Sequence, residues 1–194
     1  MTVFAVLRHA PTAWNEAGRL QGRCDPSLSQ RGRAAANHWS LPDEAVGLRW
    51  LASPLHRAIE TAECLLLTAV TEPALIEMAW GDWEGRTLSD LRAADPIGMR
   101  EMEARGLDLT PPGGESPRSV QARLLPLLAR LAAEGQPTGA VTHKGVLRAL
   151  LALATGWDML GKPPVALRPA TLHLFELDPG GIPRLVRANL ALGR

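Results

Sequence analysis

Short unbroken apolar runs alternate along this chain with longer stretches in which apolar residues recur every three or four positions. Residues 2–7 (Thr-Val-Phe-Ala-Val-Leu) form a continuous run with β-branched members, the pattern of a strand buried on both faces of a parallel sheet. Residues 48–52 and 138–142 repeat it, and each run stops at polar residues: Arg8-His9, Ser53 and His143. Helical spacing fills the gaps. Ser29 predicts an N-cap for a helix to about Trp39. Ser53-Pro54 reads as an N-cap with proline at the first helical position, opening a helix that carries Leu55, Ile59, Ala62, Leu65 and Leu66. Ser116-Pro117 gives the same signal for a helix to about Ala133, and residues 146–154 are apolar enough for a buried helix. A brief apolar segment, Leu75-Ile76, precedes Glu77. Residues 171–177 alternate as a strand, and 183–188 pair with it as a hairpin around Asp178-Pro-Gly-Gly181.

Strands alternating with helices imply an α/β three-layer sandwich, with a mostly parallel central sheet and helices on both faces. Residues 78–113 differ in character, with Trp80, Trp83, several glycines and short amphipathic helices that end at Pro111-Pro-Gly-Gly114. They read as a small helical insertion over the carboxyl edge of the sheet, inside one domain spanning 1–194.

Composition narrows the function classes. The length suits a sizeable core, and 46% hydrophobic with 21% charged residues excludes a disordered chain. A formal charge of +1 argues against a general nucleic-acid binder. Cys24 and Cys64 are too few for a disulfide scaffold, and no paired Cys/His spacing suggests a metal site. No apolar run approaches the roughly 18 residues of a membrane span and no secretory signal pattern opens the chain, so the expectation is a cytoplasmic protein without a membrane partner. Of the 21 basic residues only Lys144 and Lys162 are lysine. Genomic base composition explains such a bias, and so does selection for planar, bidentate oxyanion binding; position has to decide.

Position is informative at three points. Arg8-His9 ends the first strand, Arg57 lies in the first turn after the second, and His143 ends a later strand just before a helix. In a parallel sheet all three contexts share the carboxyl edge, where open α/β sheets bind ligands and helix N-termini add N–H donors. Two arginines and two histidines with few anions make a pocket for a phosphate or sulfate dianion. Taken singly, an arginine at a helix start is usually solvated and a histidine usually structural; their convergence carries the argument.

The surrounding motifs add to it. Leu7-Arg8-His9-Ala10-Pro11-Thr12-Ala13-Trp14-Asn15, Gln21-Gly22 through Asp25-Pro-Ser-Leu-Ser29 and Gly32, Ser53-Pro-Leu-His-Arg57-Ala-Ile-Glu-Thr61-Ala62, Glu77-Met-Ala-Trp-Gly81-Asp-Trp-Glu84-Gly85, and Gly113-Gly-Glu-Ser116 with Val141-Thr-His143-Lys-Gly145-Val-Leu-Arg148 follow in the order of the histidine phosphatase (phosphoglycerate mutase-like) superfamily, which the chain resembles over nearly its whole length. The resemblance implies that His9 is a nucleophile that becomes phosphorylated, and that Arg8, Arg57 and His143 hold the phosphoryl oxygens. Glu77 becomes the general acid that protonates the leaving oxygen and then the base that activates water. It implies no metal and no cofactor, because guanidinium groups neutralise the charge. Asn15 and Gln21 become candidate substrate-binding residues of the first loop, with loop structure as the other reading. Trp14, Trp80 and Trp83 either wall the organic part of the substrate or pack the insertion.

Two departures stand out. Ala10-Pro11 replaces the family's usual Gly-Glu, which costs about 1 kcal/mol or more if residue 10 has positive φ. Lys144 stands where the phosphatases often carry glycine, and either extends the positive field toward a second anionic group or points to solvent. The compact 77–85 segment resembles the small phosphatase branch. The expectation is hydrolysis of a small phosphate monoester, such as a sugar phosphate, α-ribazole phosphate or a phosphoglycerate-like acid. The alternatives are a cofactor-dependent phosphoglycerate mutase and a non-catalytic phospho-ligand binding module. Oligomeric state stays open, with a homodimer among the options.

Overall fold

Side-chain alternation on a two-sided sheet organises the molecule, described here from a computed structural model over residues 1–193; Arg194 lies outside the described residues. The elements run β1 (Thr2–Arg8), α1 (Ala13–Glu16), α2 (Gln30–Ala36), β2 (Arg49–Ala52), α3 (His56–Cys64), β3 (Ala69–Thr71), α4 (Leu88–Ala94), α5 (Pro96–Glu103), α6 (Pro117–Glu134), β4 (Thr138–Thr142), α7 (Lys144–Thr155), β5 (Thr171–Leu177) and β6 (Pro183–Ala191). Within β1, Phe4 and Val6 point to one apolar cluster, shared with Leu124, Leu128 and Leu131 of α6 and Val146, Leu147 and Leu150 of α7. Ala5 and Leu7 point to the opposite cluster, shared with Ala58 and Ala62 of α3. Period two thus serves two helical layers, and that is why the strand reads as unbroken apolar sequence.

The six strands lie in the order β3-β2-β4-β1-β5-β6. β2, β3 and β4 with β1 are parallel; β5 runs antiparallel to β1, and β6 antiparallel to β5. The sheet is therefore mixed, with its parallel part carrying the carboxyl edge. Register fixes that edge. Arg8 stands opposite Thr142 and Ala52 opposite Val141, so His9, Ser53 and His143 follow in one row. His9 N–H donates to Thr142 O at 2.8 Å and Ser53 N–H to Val141 O at 2.9 Å.

Several caps read from sequence are present. Ser29 Oγ accepts Gly32 N–H, and Ser116 caps α6 with Pro117 at its first position. The Ser53-Pro54 cap is not. α3 begins at His56: Leu55 at the cap is extended (φ −72°, ψ 136°) with no side-chain bond, and the His56 N–H that a Ser53 cap would take goes to Asp25 Oδ2. The helix also stops at Cys64, and Leu66 adopts a positive φ and is exposed. β6 extends past the expected residue 188 to Ala191.

His173 in β5 is fully buried. Its Nδ1 accepts Asn189 N–H at 3.2 Å, and burial lowers its pKa from 6.5 to about 4. The neutral ring contributes stability that is complete above pH 6.5 and is lost as pH falls toward 4, up to about 3 kcal/mol. A His173→Gln variant should therefore show a flatter decline of the urea midpoint between pH 7 and 4 than the parent; an equal decline would assign the loss elsewhere.

Candidate active site

Arg8 and His9 leave the end of β1 together. The His9 ring is buried, its centroid 5.1 Å from that of His143 with a 55° tilt. Its Nδ1 lies 2.7 Å from Ala10 O. A carbonyl only accepts, so Nδ1 carries the proton and Nε2 keeps a free lone pair. Burial, then repulsion from Arg8 and Arg57, hold the His9 pKa well below 6.5 despite that bond, so the ring is neutral at neutral pH. Ala10 is fully buried and is not among the residues with positive φ, so the alanine carries no left-handed strain. Its N–H donates to Thr61 Oγ1 at 2.9 Å.

Arg57 is completely buried. Its Nη1 donates to Cys24 O at 2.9 Å and pairs with Asp25 Oδ1 at 3.1 Å, and its Nη2 donates to Gly22 O at 2.7 Å. The first loop therefore grips both outer nitrogens and leaves Nε without a partner. Asp25 also accepts the His56 N–H that opens α3. His143 is equally buried. Ser53 Oγ accepts Leu55 N–H and lies 2.6 Å from His143 Nε2; when the hydroxyl donates there, the proton of the neutral ring is on Nδ1. Burial, followed by the charges of His9, Arg57 and Arg8, keeps the His143 pKa well below 6.5.

Among the described residues, three buried side-chain nitrogen or oxygen atoms have no hydrogen-bond partner: Arg8 Nε, Arg57 Nε and His143 Nδ1. Native proteins rarely leave such donors unsatisfied. All three are donors, and they belong to the three residues expected to hold phosphoryl oxygens.

Glu77 is buried on the same side. Its Oε1 accepts Met78 N–H at 2.9 Å and its Oε2 accepts Gly145 N–H at 3.3 Å. Burial raises its pKa, against those two bonds and the attraction of Arg57 and Arg8. Gly145 is needed for contact: a Cβ there would sit 2.5 Å from Glu77 Oε1. Thr142 Oγ1 donates to Leu75 O at 2.7 Å, tying the Glu77 segment to the end of β4.

Asn15 and Gln21 bond within the loop. Asn15 completes a capping box with Thr12 at the start of α1, and Gln21 Oε1 accepts Thr12 Oγ1–H at 2.7 Å. Trp80 stacks on Trp83 at 6.1 Å, and both pack with Leu91 and Met99. Trp14 covers Gly85. Trp83 is buried in this packing, while Trp14 and Trp80 stay half-buried.

Three positioning residues carried no role in the sequence reading. Glu84 accepts N–H bonds from Arg23, Cys24 and Trp80 at 2.9, 2.7 and 3.1 Å, pinning the loop that holds Arg57. Burial raises its pKa, but these bonds outweigh burial and leave it lowered. The signal was Gly22, which has a φ of +55° and leaves no room for a Cβ beside the Glu84 carboxylate. Glu115 accepts Ala79 N–H and pairs with Arg123, whose Nη2 donates to Ile76 O at 2.6 Å. This brace sets the backbone on either side of Glu77.

A mixed α/β sheet whose carboxyl edge gathers two histidines, two arginines and a buried glutamate defines a family, and sequence comparison agrees. A profile of the histidine phosphatase superfamily (branch 1) matches residues 4–191; the chain belongs to that superfamily. It is 34% identical over 185 residues to a glucosyl-3-phosphoglycerate phosphatase of Mycobacterium tuberculosis, covering 86% of this chain and 78% of that one. It is 30% identical over 167 residues to phosphoserine phosphatase 1 of Hydrogenobacter thermophilus, covering 82% and 79%. A 2,3-bisphosphoglycerate-dependent phosphoglycerate mutase of Beijerinckia indica is 28% identical over 95% of this chain and 91% of its own length. The solved structure of the mycobacterial glucosyl-3-phosphoglycerate phosphatase complexed with VO3 superposes with a TM-score of 0.79 at 27% identity, over 98% of this chain and 100% of that one. These similarities support a phosphatase enzyme. Among the described residues no helix is long and apolar enough to cross a membrane.

Proposed function

We propose that this enzyme hydrolyses a small phosphate monoester through a phosphohistidine on His9, without a metal. The observation that carries the reading is the set of three buried, unpartnered donors on Arg8, Arg57 and His143, which a bound phosphoryl group would satisfy. His9 Nε2 attacks phosphorus in line as the ester P–O bond breaks, and the leaving oxygen takes its proton from the Glu77 carboxyl group. A water then gives a proton to the Glu77 carboxylate and attacks phosphorus, releasing phosphate and restoring Nε2. Charge spreads over the equatorial oxygens in a loose transition state, where arginine forks and an imidazole N–H stabilise it. The role fits the mycobacterial relative solved with VO3.

Rapid quench with a ³²P-labelled monoester should trap an acid-labile, base-stable phosphoenzyme that maps to His9. Label on another residue, or turnover without label, would overturn the mechanism. Because a mutase is among the relatives, 3-phosphoglycerate isomerisation with 2,3-bisphosphoglycerate present is the second assay. Isomerisation faster than phosphate release would make the enzyme a mutase. The loop clamp gives a further expectation: Glu84→Gln should weaken inhibition by inorganic phosphate roughly tenfold, through loss of charge-assisted bonds that hold the Arg57 loop. An unchanged inhibition constant would show that the loop holds its shape without the carboxylate.

A further inference from the structure

The Ala10–Pro11 pair stands directly behind the candidate nucleophile and is held from several sides. Ala10 and Thr61 are both fully buried. Thr61 lies one turn after Arg57 in α3, and its Oγ1–H donates to Arg57 O at 2.7 Å. A carbonyl only accepts, so the hydroxyl proton is committed there and Oγ1 is left to accept the Ala10 N–H at 2.9 Å, as a hydroxyl with one proton and two lone pairs can. At its other end Ala10 offers its carbonyl to His9 Nδ1, 2.7 Å away. Only the two torsions of one residue separate the bond to Thr61 from the bond to the ring. Pro11 restricts them, because a residue before proline is kept out of the helical region and in extended conformations. The Ala10 Cβ restricts them further than a glycine would. Pro11 is itself fixed: its carbonyl accepts Ser29 N–H at 3.0 Å, and a Cβ on Gly32 of α2 would sit 2.0 Å from that oxygen. The direction of the Ala10 carbonyl, and with it the setting of the His9 ring, therefore follows from where Thr61 holds the Ala10 N–H.

We propose that Thr61 is a positioning residue for the attack on phosphorus: through the stiff Ala10–Pro11 unit its hydroxyl sets the direction of the His9 ring and keeps the proton on Nδ1, and it ties that ring to the helix that presents Arg57. Thr61 touches no reacting atom and acts only through Ala10. Its effect on turnover rests on the phosphohistidine reading; its effect on the ring does not. Arg57 keeps its own supports, Gly22 O, Cys24 O and Asp25, so loss of the Thr61 hydroxyl leaves the grip on phosphate in place. The departure at residues 10 and 11 gains a role in the same step. A glycine before a residue other than proline would leave the carbonyl free to swing, whereas alanine before proline holds it on the ring.

The test uses Thr61→Val, which keeps the shape and removes the hydroxyl, Thr61→Ser, which keeps the hydroxyl, and Pro11→Ala, which keeps both hydrogen bonds and removes the stiffness. With p-nitrophenyl phosphate, Thr61→Val should lower kcat by about 10–10²-fold, the scale of a misplaced reacting group. Inhibition by inorganic phosphate should stay within about threefold of the parent, and Thr61→Ser should restore kcat to within about threefold. Pro11→Ala should lower kcat by roughly threefold with phosphate inhibition unchanged, a reading that stands even if Thr61→Val does not fold. Two-bond ¹H–¹⁵N spectra of histidine-labelled enzyme read the ring directly, with the His9 signals assigned by their loss in His9→Ala. At neutral pH the parent should show a protonated Nδ1 and a bare Nε2. Thr61→Val and Pro11→Ala should move both nitrogens toward the average of the two tautomers, and Thr61→Ser should not. Parent-like kcat and signals in both Thr61→Val and Pro11→Ala overturn the proposal. So does a Thr61→Ser enzyme as impaired as Thr61→Val, or a phosphate affinity that falls in step with kcat, since either makes Thr61 a packing residue. Shifted ring signals in an enzyme that hydrolyses no ester would keep the positioning role and remove the hydrolase reading. A trapped phosphoenzyme on His9 with unshifted signals would do the reverse.

Discussion

Replacing His9 with alanine should reduce kcat for any phosphate monoester by at least about 10⁴-fold, while inorganic phosphate still inhibits or binds within about threefold of its original affinity. The size follows from what is removed and what is kept. Loss of the imidazole removes the covalent route, so water must attack the ester directly. Arg8 Nε, Arg57 Nε and His143 Nδ1 remain, because Arg57 is held by Gly22 O, Cys24 O and Asp25 and His143 by Ser53, none of which involves His9. The electrostatic share of catalysis should survive as residual activity. His9 makes one side-chain bond, to its neighbour Ala10, so the melting temperature should move little. Steady-state kinetics and phosphate inhibition on one purified variant decide the matter. A loss of phosphate affinity equal to the loss of rate would mean that His9 shapes the pocket and is not the attacking group.

How far the sequence specified this site depends on the element. β1, β2 and β4 are legible because both faces of each are buried, and their polar successors mark the carboxyl edge. Ser116 is legible as a cap because its oxygen has only local work. Ser53 misleads because the chain stays extended through Leu55 and the His56 N–H is taken by Asp25, 31 residues away, and a cap pattern carries no sign of a distant partner. β3 has three residues, two of them exposed, so hydropathy leaves no trace of it. The direction of β5 against β1 is also invisible: alternation marks 171–177 as a strand and the hairpin sets β6 beside it, but neither says which strand β5 joins on its other side or in which direction. The resemblance pointed to His9, Arg57 and Glu77, but the groups that hold them, Asp25, Glu84 and the Glu115–Arg123 pair, act through backbone groups of other segments, which side-chain chemistry alone does not reveal. Position also answers the arginine bias. Arg8 and Arg57 lie at the proposed phosphate site, while many of the others make exposed pairs worth about 0–1 kcal/mol each.

Glu77→Gln carries the other large effect, and its signature depends on the leaving group. For an alkyl phosphate, whose alkoxide is a poor leaving group, loss of the proton donor should lower kcat by about 10²–10⁴-fold. For p-nitrophenyl phosphate the leaving group needs no proton, so phosphorylation of His9 should stay fast. The second step, in which Glu77 takes a proton from water, becomes limiting. A burst of p-nitrophenol matching the enzyme concentration should then appear in the variant, with phosphoenzyme accumulating behind it. The pH profile adds a second reading. Burial raises the Glu77 pKa above its ordinary 4.5, beyond what the Met78 and Gly145 N–H groups and the two arginines offset. The protonated acid is therefore available below the raised pKa and is lost as pH climbs through it, so alkyl phosphate turnover should fall on the alkaline side in the parent. The amide does not titrate, and that limb should be absent in the variant. Stopped-flow detection of p-nitrophenol checks the first point and kcat against pH for an alkyl ester the second. A variant with no burst and an unchanged alkaline limb would move the acid–base role from Glu77 to another group.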